Sequence, residues 1–337
     1  HAGARPVRGD QGRHWRVSRT LREAIAAGPV VLDGGLATQL EARGHDLSDT
    51  LWSARLLLDD PAEVRAAHAD FFAAGAQVAT TASYQVSESG FRAAGRTVAE
   101  ARTALRRSVI VAREAADDAA ACDGRLRWVA ASVGPYGATL ADGSEYRGDD
   151  QLSVAQLREW HRPRLALLAE AGADVLAVET VPSLREVEAV CRELASLGMP
   201  FWLSVTPAAG RTRDGESLAD AFRIAAETPG ILAVGANCCE PSEFIGIAAA
   251  AKVAASAHAL GSPEQAPAEA AQTVPDGIPL VFYPNSGEVW DAQARAWRGE
   301  PTVGGLAPEW VDGGARLVGG CCRVTPAQIG VLAAACS

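Results

Sequence analysis

The feature that most constrains the fold is a series of eight short apolar runs, separated by longer amphipathic stretches. The runs cover residues 30–35, 78–84, 128–134, 175–180, 201–206, 231–238, 279–285 and 315–322. A nearly continuous apolar run indicates a parallel strand that is buried on both faces. Eight strand–helix alternations favour an α/β fold of the (β/α)8 (TIM) barrel class over a Rossmann sheet, which usually has fewer strands.

The stretches between the runs carry helix start and stop signals. The stretch at 61–75, for example, begins with a proline and ends with a glycine. We therefore expect a single barrel domain over residues 21–337, with residues 1–20 as a peripheral extension. Three long connections follow strands and are expected to wall the catalytic face, at 36–60, 138–150 and 286–301. A linker-like stretch at 261–277 precedes a strand and is expected on the opposite face.

Composition and motifs exclude several classes of function. The net charge of −10 argues against a nucleic-acid-binding surface, which is normally basic. No apolar run reaches the ~18 residues that span a bilayer, and the N-terminal residues lack the apolar core of a secretory signal. A phosphate-binding GxxxxGK[ST] loop, an HExxH helix and a GxSxG elbow are also absent from the sequence. We expect a cytoplasmic enzyme that acts on small molecules.

Cysteines stand at the ends of two predicted strands. In a barrel of this class the active site lies at the carboxyl ends of the strands. Cys238 ends the sixth run, and Cys321 and Cys322 end the eighth. Zinc favours thiolates in a tetrahedral site, and a catalytic zinc keeps one position open. Three cysteines and one exchangeable ligand would meet that description.

Other interpretations of the cysteines stay open at this point. Free cysteines are often small buried apolar residues, and Cys321 and Cys322 are also placed for a strained vicinal disulfide. The odd total of seven cysteines argues against a disulfide framework. Cys239 neighbours Cys238, but strand alternation would turn its side chain to the opposite face. We expect structural roles for the remaining four cysteines, Cys122, Cys191, Cys239 and Cys336.

Polar residues end three further runs. Asp33 ends the first, Thr81 lies in the second and Glu179 ends the fourth. Two carboxylates at one barrel rim could perform acid–base chemistry or bind the ammonium group of an amino acid. Asp33 could instead be a turn residue before two glycines, and Glu179 could cap a helix or form a salt bridge.

A set of longer motifs resembles the homocysteine S-methyltransferase family. The motifs are DGGLATQLEARG, HADFFAAGAQVATTASYQ, ASVGPYGATLADGSEYRGDD, AGADVLAVET, GANC, YPNSGE and GGCCRVTP, in this order from about residue 30 to residue 333. The bacterial members that use S-methylmethionine are the most similar. The resemblance implies zinc-dependent transfer of a methyl group from a sulfonium donor, S-methylmethionine or S-adenosylmethionine, to the thiol of L-homocysteine, forming methionine.

The resemblance also implies roles for individual residues. It implies zinc ligation by Cys238, Cys321 and Cys322, and binding of the homocysteine amino group by Asp33 and Glu179. It places Thr81, Gly34 and Asn237 in the substrate site through the motifs that contain them. Betaine-using relatives carry an aromatic residue where this chain has Thr180, which makes betaine a doubtful donor.

Two alternatives to this function remain. The methyl acceptor could be selenocysteine or another small thiol. The zinc could also be purely structural, in a barrel that binds a ligand without chemistry, and such a site would be closed by four protein ligands.

Overall fold

The computed structural model describes residues 19–47, 51, 53–261, 277–291 and 296–336. Residues 1–18 of the predicted extension and most of the linker-like stretch, 262–276, lie outside the described residues. The predicted domain bounds therefore remain a prediction. Within the described ranges, the first helix begins at Leu21, after a capping box formed by Thr20 and Glu23.

The described strands are as follows, in chain order. They are β1 Val30–Val31, β2 Val78–Thr80, β3 Trp128–Val133, β4 Val175–Val181, β5 Phe201–Val205, β6 Ile231–Asn237, β7 Leu280–Tyr283, β8 Val289–Asp291, β9 Ala296–Arg298 and β10 Ala315–Val318. Strands β8 and β9 form a separate antiparallel hairpin.

Helices lie between the strands. The α-helices are α1 Leu21–Ala27, α2 Leu36–Ala42, α3 Ser53–Asp59, α4 Pro61–Ala73, α5 Glu88–Ala93, α6 Val98–Asp123, α7 Val154–Glu170, α8 Leu184–Leu197, α9 Leu218–Ala226, α10 Phe244–Gly261, α11 Val303–Asp312 and α12 Pro326–Ala335. Short 3-10 helices occupy Tyr136–Leu140, Ser144–Tyr146 and Pro241–Glu243. Within the described part of the chain, no helix combines the length and apolar character needed to cross a bilayer.

The eight remaining strands of the described ranges form one parallel sheet. Its order is β1-β10-β7-β6-β5-β4-β3-β2, and a parallel bridge between Leu32 and Val78 brings the two edges together. The alternating strands and helices of a (β/α)8 barrel are thereby confirmed. The strands are mostly shorter than predicted at their carboxyl ends, because the last residues of each apolar run leave the ladder and form the rim of the barrel.

Strand alternation separates two apolar layers. In β4, Val175 and Ala177 belong to the cluster inside the barrel, whereas Leu176 and Val178 pack in the layer between strands and helices. Above the inner apolar cluster, the next inward positions of the strands are buried and polar. They are Ser132, Glu179, Ser204, Asn237 and Tyr283. This polar layer is the floor of the catalytic face.

Candidate metal centre

Three cysteine sulfurs converge at the carboxyl ends of β6 and β10. The Sγ atoms of Cys238, Cys321 and Cys322, here named the cysteine triad, all lie within 4.8 Å of one another. The sulfurs of Cys238 and Cys322 are 3.6 Å apart, and all three residues are free cysteines. A tetrahedral zinc site with Zn–S bonds of about 2.3 Å separates its sulfurs by about 3.8 Å. The donor set and its spacing therefore fit a tetrahedral thiolate site.

A backbone reversal directs the Cys238 sulfur into this cluster. Strand β6 ends at Asn237, whose side chain faces inward, so continued alternation would turn Cys238 toward the helices. Cys238 instead adopts a left-handed conformation with φ 52°, which is uncommon for a residue with a side chain and recurs at functional sites. Its carbonyl oxygen accepts a hydrogen bond from Thr206 Oγ1 at 3.2 Å. Cys239 packs in the outer apolar layer, as predicted.

The other two triad residues are held by the rims of neighbouring strands. The Cys321 amide donates to the Pro284 carbonyl at 2.7 Å, and the Cys322 amide donates to Asn285 Oδ1 at 3.2 Å. Gly320 precedes them where a side chain cannot fit, because an added Cβ would lie 2.2 Å from Val324. Cys238 is buried, while Cys322 is exposed, so the cluster has one open side.

The three cysteine side chains are close enough to hydrogen-bond to one another, and these contacts shift their pKa values. Hydrogen bonds from the thiols of Cys238 and Cys321 lower the pKa of Cys322 well below its ordinary value. Those same contacts leave the pKa of Cys321 far above its usual range. The opposite directions of these shifts follow from the close approach of the three sulfurs, and the thiolate is the form that binds a metal.

Tyr146 is a functional candidate that the sequence did not reveal. Its hydroxyl lies 3.0 Å from Cys238 Sγ, and the guanidinium of Arg213 lies over its ring at 5.4 Å. Electrostatic repulsion from Cys238, followed by burial, raises the pKa of Tyr146 above its ordinary range, so the hydroxyl keeps its proton and can donate it in a hydrogen bond when the sulfur is a thiolate. Tyr146 belongs to the connection at 138–150, which was predicted to wall the catalytic face.

Asp33 and Glu179 are both buried at the rim. Asp33 Oδ2 accepts a hydrogen bond from the Thr80 amide at 2.7 Å. Glu179 accepts hydrogen bonds from the hydroxyls of Tyr283, at 2.9 Å, and Ser132. Burial raises the pKa of Asp33 to about 8 and that of Glu179 to about 7.

These two carboxylates lack a cationic partner. Asp33 and Glu179 are 3% and 7% exposed, and their like charges act on each other. Among the salt bridges of the described residues, none includes either side chain. A buried carboxylate is normally paired with a cation or protonated. The pair is therefore suited to a cationic ligand.

Asn237 lies between the carboxylates and the triad. Its Oδ1 accepts hydrogen bonds from the Thr180 amide at 2.7 Å and from Ser204 Oγ at 3.0 Å. Its Nδ2 donates to Thr180 Oγ1 at 2.8 Å and lies 4.0 Å from Cys321 Sγ. Most of the amide is thus used to fix the rim, and the predicted substrate contact of Asn237 stays a prediction.

Thr81 and Gly34 complete the predicted site. Thr81 is buried, and its hydroxyl contacts Ser83 Oγ at 2.7 Å and accepts from the Ser132 amide at 3.1 Å. A Cβ on Gly34 would lie 2.4 Å from the Val324 carbonyl and 2.8 Å from the Phe71 ring. Thr81 thus lies beside Ser132, and Gly34 lies beside Val324. The substrate contacts of both residues stay predictions.

Together these features define a barrel protein with a candidate thiolate metal site. Three sulfurs converge on one side of the rim, and two buried carboxylates that form no salt bridge within the described ranges lie at strand ends. Such a site can hold a metal ion and a cationic small molecule at the same time.

The homocysteine S-methyltransferase family model matches residues 30–336, and the chain therefore belongs to this family of methyltransferases. It is 43% identical to the homocysteine S-methyltransferase of Escherichia coli K12, over 90% of this chain and 94% of that one. It is 37% identical to the selenocysteine Se-methyltransferase of Brassica oleracea, over 94% and 90%. The metallated form of the E. coli homocysteine methyltransferase MmuM superposes with a TM-score of 0.76 at 40% identity, over 91% of this chain and 96% of that one. A homologue with this fold thus binds a metal, and this chain has a cysteine cluster that can do so.

Proposed function

We propose that this protein transfers a methyl group from S-methylmethionine to the thiol of L-homocysteine, with zinc bound by Cys238, Cys321 and Cys322. The observation that carries the proposal is the convergence of these three sulfurs beside two buried carboxylates for which the described part of the chain supplies no salt-bridge partner. An amino acid that bears a thiol carries both an ammonium group for the carboxylates and a sulfur for the metal.

The residues of the triad fit zinc by type and by spacing. Thiolate sulfur is a soft ligand that selects zinc over the hard cations. Three protein ligands leave a fourth position, as in catalytic rather than structural zinc sites. When bound there, zinc supplies a position at which the thiol of the acceptor is held as its thiolate at neutral pH.

Asp33 and Glu179 bind the ammonium group of homocysteine. A cation between them favours the ionised carboxylates and offsets the burial that raises the pKa of each. Their existing hydrogen bonds, from Thr80 to Asp33 and from Tyr283 to Glu179, fix where the oxygens lie. The ammonium contact therefore orients the acceptor sulfur toward the triad.

The transfer itself needs no general base. The acceptor sulfur forms a bond to the methyl carbon, while the bond from that carbon to the donor sulfonium breaks. The electron pair of the broken bond stays on the departing sulfur, so S-methylmethionine leaves as neutral methionine. Tyr146 keeps its hydrogen bond to Cys238 and holds that thiolate in place throughout.

A selenol acceptor is the second candidate. The relative from Brassica oleracea is a selenocysteine Se-methyltransferase, and it covers 94% of this chain at 37% identity. Selenocysteine presents the same ammonium group as homocysteine and a softer, more acidic nucleophile. The two acceptors differ by one methylene and by selenium in place of sulfur, so relative kcat/KM measured side by side separates them.

The decisive experiment measures methionine formation from homocysteine with S-methylmethionine and with S-adenosylmethionine, before and after treatment with a chelator. We expect activity with S-methylmethionine, loss of activity on chelation and recovery on addition of zinc. Elemental analysis should find one zinc per chain. A fully active protein that contains no metal would refute the proposal.

A further inference from the structure

Glu145 is a buried carboxylate for which the proposed chemistry has so far no use. It lies in the 3-10 helix Ser144–Tyr146 and is 4% exposed. Its Oε2 atom has no hydrogen-bond partner among the described residues. An unpartnered buried carboxylate is costly, because neither water nor a donor compensates its charge.

The basic side chains around Glu145 are already engaged. Burial raises the pKa of Glu145, and the charge of Arg147 lowers it only as the smallest of several influences, because its guanidinium pairs with Asp142 and Asp149, at 3.3 and 3.4 Å. Arg213 lies over the ring of Tyr146 and donates to the Thr206 carbonyl at 3.2 Å. No salt bridge of the described residues includes Glu145. A cation that pairs with this carboxylate would therefore come from outside the chain.

A second buried glutamate shows what a structural carboxylate looks like here. Glu186 also has one unpartnered oxygen, but its Oε1 accepts from the Tyr136 amide at 2.6 Å and contacts His161 Nε2 at 2.9 Å. Those contacts tie helix α8 to the segment after β3 and to helix α7. The hydrogen bond of Glu145 is to its own backbone amide, which ties it to no other element.

The position of Glu145 places it beside the triad. Its neighbour Tyr146 contacts Cys238 Sγ at 3.0 Å. The charge of Glu145 also acts on Tyr84, whose side chain hydrogen-bonds to Thr180 at the rim of β4. Besides burial, Cys238 raises the pKa of Glu145 and of both tyrosines, so all three side chains lie near this sulfur. Arg213 already lies over the Tyr146 ring, so the Tyr84 ring and the carboxylate are the combination that can attract an organic cation.

We propose that Glu145 binds the cationic part of the methyl donor and thereby selects sulfonium amino acids. This inference rests on the proposed function. It gives the two substrates separate anionic sites, since Asp33 and Glu179 serve the acceptor and Glu145 serves the donor. The donor offers two cationic groups, the sulfonium and the α-ammonium, and either one can compensate the charge at the unpartnered Oε2 atom of Glu145.

The test is the substitution Glu145→Gln, which removes the charge and keeps the shape. Deleting one partner of a buried charge pair should raise the KM and the calorimetric Kd for S-methylmethionine roughly 30-fold or more. The Kd is measured without homocysteine, so no turnover occurs. The homocysteine KM and the zinc content should stay at their wild-type values. Asp149→Asn is the matched control, because it removes a charge from an exposed position on the same segment.

A second donor distinguishes the two cationic groups. Dimethylsulfonioacetate carries a sulfonium but no ammonium. An equal loss of affinity for both donors assigns Glu145 to the sulfonium, and a loss confined to S-methylmethionine assigns it to the ammonium.

Other outcomes overturn the inference. Unchanged donor affinity in Glu145→Gln would do so, and so would a parallel loss of zinc and of both substrates, which marks a structural role. If Glu145→Gln does not fold, Glu145→Asp keeps the charge and should weaken donor binding alone; wild-type affinity there would count against the proposal. A wild-type protein that makes no methionine from homocysteine would instead refute the proposed function.

Discussion

Replacing Asp33 with asparagine should stabilise the free protein and weaken its binding of homocysteine. Asp33 is 3% exposed, and burial raises its pKa from 3.8 to about 8. Its Oδ2 accepts from the Thr80 amide at 2.7 Å, a bond that the asparagine carbonyl can keep. The substitution therefore removes the charge with little change of shape.

The size of the effect follows from linkage between proton binding and folding. An acid whose pKa is raised by folding contributes stability below its unfolded value and loses it as pH rises toward the folded value. Between 3.8 and about 8 each pH unit costs about 1.4 kcal/mol, or about 4 kcal/mol in total at pH 7. Asparagine carries no such penalty, so the stability gained by Asp33→Asn should grow with pH across this range.

The assay is urea unfolding of both proteins from pH 5 to pH 9, without homocysteine. We expect the two free energies of unfolding to differ by about 2 kcal/mol at pH 5 and by about 4 kcal/mol near neutral pH. Homocysteine should then stabilise the wild type and have little effect on the variant, since the ammonium has lost one carboxylate. Parallel pH profiles for the two proteins, or an unchanged homocysteine KM in Asp33→Asn, would refute the reasoning.

Three further predictions concern the metal centre and the core. Alanine at any residue of the cysteine triad should abolish zinc binding and activity, whereas Cys239→Ala should keep both; elemental analysis with a methionine assay decides, and a metal-loaded triad variant would contradict the assignment. Tyr146→Phe should retain zinc but lower kcat about tenfold and shift its pH profile, because a hydrogen bond to a charged sulfur is lost; a wild-type profile would argue against this role. His68 is buried, its ring nitrogens have no partner among the described residues, and burial lowers its pKa to about 4. Stability should therefore fall as pH drops from 6.5 toward 4, and His68→Leu should remove about 3 kcal/mol of that loss; an acid unfolding series that leaves the two proteins parallel would exclude it.

Much of the barrel and the position of the cysteines at its rim could be predicted because both depend on short-range sequence patterns. Apolar runs mark the strands, and the residue that ends a run must lie at the rim, where Cys238 and Cys321 are found. The resemblance to the family then joined these ends into one site. The direction of the Cys238 sulfur was not predictable from alternation, since it depends on the left-handed backbone after Asn237.

The contributions of the segment at 138–150 could not be read from the sequence. Tyr146 and Cys238 are separated by 92 positions, and no periodicity links a loop residue to a strand end so far away. The segment turns at Gly143 and Gly148, both left-handed, with φ 77° and 73°. These turns, rather than a helix or strand pattern, bring Tyr146 and Glu145 to the metal centre.

Asp33 also helps to close the barrel between β1 and β2, the two edge strands of the sheet. A single bridge, Leu32 to Val78, joins these strands, and side chains supply neighbouring links: Gln77 Oε1 accepts from the Val31 amide at 3.0 Å, and Asp33 Oδ2 accepts from the Thr80 amide. A ligand that bonds to the same Asp33 oxygen would compete with this hydrogen bond, which helps to close the barrel. If Asp33 binds the acceptor as proposed, binding and closure of the barrel are coupled, so hydrogen exchange at the Thr80 amide would report on occupancy of the site.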